Sequence, residues 1–188
     1  MVQLDPGIFK AYDVRGIYPT EIHEEGARAI GVAFVAYLGA KRIGVGRDMR
    51  LSSPALADAF IEGATSQGAD VVDYGMIPTD VIYYAVASDG LDGGVQVTAS
   101  HNPGQYNGMK MVKREALPLS GDEGISDIRD MIAGHRLPPP SPSRGTVTSR
   151  NVVDPYVDHV FSFVDPAIIR PFNVVLDAGS GMGGLIGP

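Results

Sequence analysis

The sequence contains no cysteine and no tryptophan among its 188 residues. The lack of cysteine excludes disulfide frameworks, thiolate zinc sites and cysteine nucleophiles. No apolar run reaches the roughly 20 residues that a membrane-spanning helix needs, and the N-terminus lacks the charged and apolar regions of a secretory signal. We therefore expect no membrane partner and a cytoplasmic location, although a chain without cysteine is compatible with any compartment.

Basic residues are also in short supply, with 15 Lys and Arg against 22 Asp and Glu and a formal net charge of −7. Since neutralisation of phosphates supplies most of the affinity for nucleic acids, an acidic chain is a poor nucleic-acid binder. We expect no nucleic-acid partner. An anionic small molecule would have to be held by a local basic patch that acts against the overall field.

Short strand-like runs alternate with helix-like segments along the first two thirds of the chain. This alternation favours an α/β fold, a layered α/β/α domain with a mostly parallel mixed sheet. The loop from Ser100 to Gly108 is short enough to reverse the chain, so an antiparallel member is left open. We predict a turn at Arg15-Gly16, strands at 41–46, 69–74, 95–99 and 108–112, helices capped by Thr20, Ser53 and Thr79, and a helix over 122–133.

A proline-rich stretch (137–145) marks the clearest boundary, because its composition favours an extended connector over a packed element. We assign residues 1–136 to a first domain, 137–150 to a linker and 151–188 to the truncated start of a second domain. That last part contains a predicted helix from Asp154 and a predicted strand at 172–177. One helix and one strand cannot enclose a core, so we expect the sequence to be a piece of a longer protein.

The stretch from Gly179 to Gly184 matches the G-x-G-x-x-G pattern of dinucleotide-binding loops. Confirmation would need a following helix and an acidic residue about 20 positions further on, and the sequence ends first. A nicotinamide-dependent dehydrogenase is therefore an alternative that we do not expect.

The most informative stretch is the run from Val95 to Pro103. Apolar and polar residues alternate up to Ala99, as in a pleated strand, and Asn102 before a proline is biased towards a loop. In open α/β sheets, ligands bind in the opening beyond the carboxyl ends of the strands. Ser100 is therefore the first candidate for the reacting atom, although a serine in this position is often only a cap or turn residue.

Neighbouring residues strengthen the case for Ser100. Asn102 can hydrogen-bond the loop, and Lys110 and Arg15 supply cations for an anionic partner. A serine-hydrolase interpretation is weak, because no G-x-S-x-G elbow surrounds the serine. His101 is also a poor base for it, since adjacent residues on an extended chain point to opposite sides; His101 is equally well interpreted as a residue that shapes the loop.

With these residues gathered, the chain closely resembles the α-D-phosphohexomutases, the phosphoglucomutase/phosphomannomutase family. The resemblance covers nearly the whole chain in the family's order, and its serine loop and Tyr-Asp-x-Arg-Gly segment are the specific signals. The matching stretches are Phe9-Lys10-Ala11-Tyr12-Asp13-Val14-Arg15-Gly16, Gly46-Arg47-Asp48-Met49-Arg50-Leu51-Ser52-Ser53, Gly75-Met76-Ile77-Pro78-Thr79, Thr98-Ala99-Ser100-His101-Asn102-Pro103, Tyr106-Asn107-Gly108-Met109-Lys110 and Val175-Leu176-Asp177-Ala178-Gly179-Ser180-Gly181.

The resemblance implies an isomerase of carbohydrate metabolism with the fold of the phosphoglucomutase first domain. Ser100 would carry a phosphoryl group, pass it to a hexose phosphate and take back the other phosphate from a hexose 1,6-bisphosphate intermediate. Lys110 would transfer a proton or stabilise charge, and Arg15 would contact phosphate. His101 and Asn102 would hold the serine loop, Asn102 and Tyr12 lying near the substrate.

The resemblance also implies Mg²⁺, bound by the phosphoserine oxygen at Ser100 and by three aspartates of an Asp-Gly-Asp-x-Asp-Arg loop. Such a loop is missing from this sequence, and the stretch 89–92 (Asp-Gly-Leu-Asp) is not one. The family's sugar-selecting and distal phosphate-binding loops are missing too, so glucose, mannose and glucosamine are not distinguished. We expect the chain alone to be inactive. The alternative is a non-catalytic binding or regulatory module that keeps the fold, favoured if the natural reading frame ends at Pro188.

Overall fold

A computed structural model describes residues 4–187 of the protein. Seven strands and six helices lie in these residues, with three short 3-10 turns at Pro6–Ile8, Arg114–Ala116 and Pro166–Ile168. In chain order the elements are β1 (Val14–Ile17), α1 (Glu24–Leu38), β2 (Arg42–Arg47), α2 (Ser53–Ser66), β3 (Asp70–Met76), α3 (Thr79–Ser88), β4 (Gly93–Val97), β5 (Tyr106–Lys113), β6 (Leu117–Pro118), α4 (Ile125–Ala133), β7 (Val147–Ser149), α5 (Val153–Phe161) and α6 (Gly183–Ile186).

The strands form one mixed sheet in the order β1-β5-β4-β2-β3-β7, with β6 beside β5. The pairs β4–β2, β2–β3 and β3–β7 are parallel. Strand β5 is antiparallel to β1, β4 and β6, so it alone runs against the common direction. The predicted layered α/β fold with a mostly parallel mixed sheet is confirmed, and β5 is the antiparallel member that the short loop after Ser100 left open.

Two apolar cores cover the two faces of the sheet. On one face, α1, α2 and α4 pack over alternate residues of the central strands, and the rings of Phe34 and Phe60 lie 5.7 Å apart. On the other face, α3 packs over residues that include Val72 and Tyr74, and Val152 closes the edge of that core. This division follows from the strand period of two, which sends successive side chains to opposite faces.

Helices α1 and α2 approach each other closely enough that glycine is required at the contact. A Cβ on Gly63 would lie 2.1 Å from the backbone oxygen of Arg28, and one on Gly31 would lie 2.3 Å from that of Phe60. The two backbones therefore touch directly, which fixes the spacing of the helices above the sheet.

Several predicted element starts are displaced. Helix α1 begins at Glu24, with His23 rather than Thr20 as its cap, because the His23 ring nitrogen Nδ1 accepts a hydrogen bond from the Gly26 amide at 3.2 Å. The predicted turn at Arg15-Gly16 is wrong, since both residues pair with β5 inside β1. The caps predicted at Ser53 and Thr79 lie one residue too late, and helix α4 begins at 125 rather than 122.

Part of the stretch 137–150, which we assigned to a linker, pairs with the sheet. Its residues Val147–Ser149 form β7, which extends the sheet beside β3. Asp70 accepts hydrogen bonds from the amide and the hydroxyl of Thr146, both at 2.7 Å. Just after β7, Arg150 forms an ion pair with the buried carboxylate of Asp89 at 2.9 Å. The sheet therefore continues into this stretch as far as residue 149.

The strand predicted over residues 172–177 is not formed. Side chains in this stretch are exposed, Val174 to 79% and Val175 to 95%. A strand is stabilised by the hydrogen bonds of a neighbouring strand, and in the described part of the chain none lies beside it. The following glycine-rich loop leads into the short helix α6. Within residues 4–187, no helix combines the length and apolar character needed to cross a bilayer.

Replacing Gly63 by alanine should destabilise the protein. The added methyl group would meet the Arg28 carbonyl, and overpacking typically costs about 1–3 kcal/mol, of which helix propensity returns about 1 kcal/mol. We expect a net loss of up to about 2 kcal/mol in the free energy of unfolding, measured by urea denaturation. Gly184→Ala is the control, because its Cβ would lie 3.6 Å from that of Ala178. Equal stability of the two variants would contradict the close helix contact.

Acidification should release the start of β7. Two hydrogen bonds from Thr146 lower the pKa of the Asp70 carboxyl group, and the bond from the hydroxyl has a larger effect than the bond from the amide. Stability from this carboxylate is therefore fully present above its unfolded pKa of about 3.9 and is lost as the pH falls through the lower folded pKa. We expect the Thr146 amide resonance to titrate below pH ~3.9 in an NMR titration. In Asp70→Asn this titration should vanish; its persistence there would assign it to another group.

Candidate functional site

The candidate site lies where the parallel strands β2, β3 and β4 end at the same edge of the sheet. Asp48 follows β2, Thr79 begins the helix after β3, and Ser100 follows β4. A cavity of about 400 Å³ opens here, lined by these three residues and by Asp80 and His101 among others. This is the place at which ligands bind in open α/β sheets.

Ser100 is exposed and adopts a left-handed backbone conformation, with φ of 55°. This conformation costs a residue other than glycine on the order of 1–3 kcal/mol, so the surrounding structure must hold it. The Ser100 amide donates to the hydroxyl of Thr98 at 2.9 Å, and its carbonyl accepts from Arg50 at 3.0 Å. The side chain thus projects from a turn whose backbone is fixed on both sides.

His101 lies closer to the serine than expected. Its ring nitrogen Nδ1 is 3.3 Å from the Ser100 hydroxyl oxygen. The expectation that adjacent side chains point apart is wrong here, because the left-handed turn at Ser100 ends the extended conformation on which it depended. Within residues 4–187, no carboxylate or carbonyl orients the other ring nitrogen, so the arrangement is not that of a hydrolase triad.

Two of the predicted cations meet beside the serine loop. Arg15 on β1 donates to the side-chain oxygen of Asn102 at 2.5 Å and forms an ion pair with Asp13. Lys110 on β5 lies 3.4 Å from the same carboxylate. The formal charge of this cluster is 2 − 1 = +1. The structure therefore joins Arg15 and Lys110 through Asp13, and Arg15 connects this pair to Asn102 in the serine loop. The sequence pattern gave no role to Asp13.

Tyr12 is the predicted site residue that stands apart from this cluster. Its side chain is exposed to 74%. In the described part of the chain, its hydroxyl has no hydrogen-bond partner among the site residues. The ring is therefore free to meet a ligand but is not held in place by the cluster.

Asp48 and Arg50 are further site residues that the sequence reasoning did not single out. Both side chains are buried, with 6% and 7% exposed, and they form an ion pair at 3.2 Å. The Arg50 guanidinium donates to four backbone carbonyls of the serine loop, those of Ser100, Asn102, Pro103 and Tyr106, at 2.6–3.0 Å. The sequence feature that could have identified both residues is the charged Asp-x-Arg motif directly after a buried strand.

The described residues do not by themselves make a magnesium site. Residues 4–187 contain no group of three or more acidic or histidine side chains that could hold a metal. Of the nearby carboxylates, Asp48 accepts hydrogen bonds from Arg50, Ser53 and Thr98, and Asp13 is shared by two cations. Mg²⁺ prefers several free oxygen ligands in octahedral geometry, which this set does not offer.

Known proteins are similar to this chain in both sequence and fold. The model of the family described as phosphoglucomutase/phosphomannomutase, alpha/beta/alpha domain I, matches residues 6–137. A phosphomannomutase of Escherichia coli is 44% identical over 178 residues, which are 94% of this chain and 39% of that protein. A protein of Xanthomonas campestris named phosphohexose mutases is 42% identical over 178 residues, 95% of this chain and 40% of its own length.

A crystal structure gives the same result for the fold. The phosphoglucomutase/phosphomannomutase family protein of Burkholderia thailandensis superposes with a TM-score of 0.87 at 37% identity, covering 98% of this chain and 41% of that one. The chain thus spans about two fifths of the length of these relatives. Together with the match over residues 6–137, these likenesses show that the chain belongs to the phosphoglucomutase/phosphomannomutase family and contains its first α/β/α domain.

Proposed function

We propose that this chain carries the phosphoserine of a phosphohexomutase, an enzyme that moves a phosphoryl group between the 1- and 6-positions of a hexose phosphate. The observation that carries the proposal is the position of Ser100, exposed in a left-handed turn of a loop whose Asn102 is bound by Arg15, which shares Asp13 with Lys110. The names of the relatives, phosphomannomutase and phosphohexose mutases, support it.

In the proposed reaction, a hydroxyl oxygen of the sugar attacks the phosphorus on Ser100. The bond between phosphorus and the serine oxygen breaks, the hydroxyl loses its proton to a base, and a hexose 1,6-bisphosphate forms. After the bisphosphate has reversed its orientation, the serine oxygen gives up its proton and attacks the other phosphorus. The bond between that phosphorus and the sugar oxygen breaks, the sugar oxygen takes up a proton, and the phosphoserine is restored. Such transfers depend mainly on positioning and on stabilisation of charge.

The side chains around Ser100 suit these requirements. Lys110 is the proposed group for proton transfer or charge stabilisation. Arg15 contacts the phosphate side of the site and holds Asn102, while His101 shapes the serine turn. Tyr12, exposed on the segment before β1, is the proposed contact to the sugar.

The remaining parts of the proposed site are not among the residues of this chain. If Mg²⁺ binds, the phosphoserine oxygen would need further ligands from another part of a longer protein, because the carboxylates near Ser100 are engaged. The same holds for the contacts that select the sugar and bind its second phosphate. We therefore propose that the 188-residue chain alone does not turn over hexose phosphates.

Replacing Ser100 by alanine should abolish mutase activity in the complete protein encoded by the reading frame that contains this sequence. The variant lacks the oxygen that accepts the phosphoryl group. Conversion of mannose 1-phosphate and glucose 1-phosphate to the 6-phosphates measures activity, and intact mass measures phosphorylation after incubation with glucose 1,6-bisphosphate. We expect one phosphoryl group on the parent and none on Ser100→Ala.

Ser126→Ala is the matched control, because Ser126 lies on α4 and is not among the described residues that line the cavity of Ser100. This variant should keep both its activity and its phosphoryl group. A Ser100→Ala protein with the parent's activity would refute the proposed function.

Lys110→Met should lower kcat by at least about 100-fold, the usual contribution of a proton-transfer group. Lys110→Arg separates the two proposed roles, because arginine keeps the charge but does not give up its proton. Recovery in Lys110→Arg would assign charge stabilisation, and no recovery would assign proton transfer. Lys113→Met is the control on the same strand, since Lys113 pairs with Glu123 at the surface. Activity of Lys110→Met within about 3-fold of the parent would exclude both roles.

A further inference from the structure

The backbone of Ser100 is held by a closed ring of hydrogen bonds among Asp48, Arg50 and Thr98, which we name the serine clamp. The Ser100 amide donates to the Thr98 hydroxyl at 2.9 Å, and that hydroxyl donates to Asp48 Oδ2 at 2.7 Å. The same carboxylate oxygen accepts from Arg50 Nε at 3.2 Å. Arg50 Nη2 closes the ring by donating to the Ser100 carbonyl at 3.0 Å.

The guanidinium of Arg50 also holds the rest of the serine loop. It donates to the carbonyls of Asn102 at 2.6 Å, Pro103 at 2.9 Å and Tyr106 at 3.0 Å. Since one planar group contacts carbonyls at both ends of the loop, the loop is wrapped around a single buried cation. Movement of the serine turn would break several of these charge-assisted hydrogen bonds together.

The clamp is itself anchored in the scaffold. Asp48 Oδ1 accepts from the Ser53 hydroxyl at 2.5 Å and from the Arg50 amide at 3.0 Å. The Ser53 hydroxyl accepts in turn from the side-chain amide of Asn107 on β5, at 3.0 Å. The ring is therefore tied to the start of α2 and to β5, the rigid elements on either side of the serine loop.

These contacts decide where the serine hydroxyl points. With both peptide groups of Ser100 fixed and φ held at 55°, the Cα–Cβ bond is directed out of the turn. We propose that Asp48, Arg50 and Thr98 are positioning residues for phosphoryl transfer, which hold the Ser100 oxygen in line with the attacked phosphorus. This inference rests on the proposed function. The three residues act through the backbone of Ser100, since no polar atom of theirs bonds the serine oxygen in the described structure.

The test uses the complete protein and two pairs of variants. Thr98→Val removes the hydroxyl at nearly constant shape, and Thr98→Ser restores it. Arg50→Lys keeps the charge but loses the planar set of donors, and Arg28→Lys is its control, because Arg28 pairs with Glu62 on the exposed surfaces of α1 and α2. All are assayed well below their Tm, with the folded state verified by circular dichroism.

We expect Thr98→Val and Arg50→Lys to lower kcat by about 100-fold, the effect of a small misplacement of reacting atoms. The rate at which glucose 1,6-bisphosphate phosphorylates Ser100 should fall in parallel, while KM stays near the parent's value. Thr98→Ser and Arg28→Lys should match the parent. A merely structural role would change Tm without this separation of kcat from KM.

Two results would overturn the inference. If Thr98→Val and Arg50→Lys keep kcat within about 3-fold of the parent while Ser100→Ala is inactive, the clamp does not position the serine and the proposed function stands. If Ser100→Ala is itself active, the proposed function is refuted and the inference falls with it.

Discussion

The buried ion pair between Asp48 and Arg50 joins parts of the chain that are distant in sequence. Arg50 belongs to the loop after β2, whereas the carbonyls that it binds belong to the loop between β4 and β5 and to the first residue of β5. Burial of two charges is costly, and such a pair persists where its hydrogen bonds are complete. Here both carboxylate oxygens and all three guanidinium nitrogens are used. The pair therefore fixes one arrangement of the two loops at the carboxyl edge of the sheet.

That arrangement explains how an acidic chain can offer a site for an anion. The net charge of −7 belongs to the whole surface, but the two acidic residues in contact with the serine loop and its cations, Asp48 and Asp13, are each matched by a cation. Asp48 is balanced by Arg50, and Asp13 is shared by Arg15 and Lys110, which leaves a local excess of one positive charge. Because interactions over more than about 8–10 Å are screened by salt, these nearby cations and the carboxylate of Asp80 in the same cavity affect an approaching phosphate more than the net charge of the whole chain does.

The sequence predicted the layers of the fold well. The spacing of apolar residues within each segment indicates which side chains are buried, and this spacing can be determined from the segment alone. It also led to Ser100, since the strand and the proline after it mark the edge of the sheet. It failed for residues 172–177, where a strand-like pattern has no neighbouring strand in the described chain, and it did not foresee β7, where Val147–Ser149 add to β3. Pairing is a tertiary property that a single segment does not encode. The role of Arg50 was missed for the same reason, since its four acceptors lie 50–56 residues away.

The charges around Ser100 place a further requirement on a phosphorylated serine. A phosphoryl group carries about −1.5 to −2 charges at neutral pH, and the cluster of Arg15, Lys110 and Asp13 supplies a net +1. The clamp adds nothing to this sum, because Asp48 neutralises Arg50. Against this cluster alone, a phosphoserine would leave a negative remainder of about half to one charge, and the carboxylate of Asp80 in the same cavity adds to that remainder. Additional positive charge, from a metal ion or from basic residues other than Arg15, Lys110 and Arg50, would therefore stabilise the phosphorylated form. Binding of that additional charge would be most favourable once the phosphoryl group is in place.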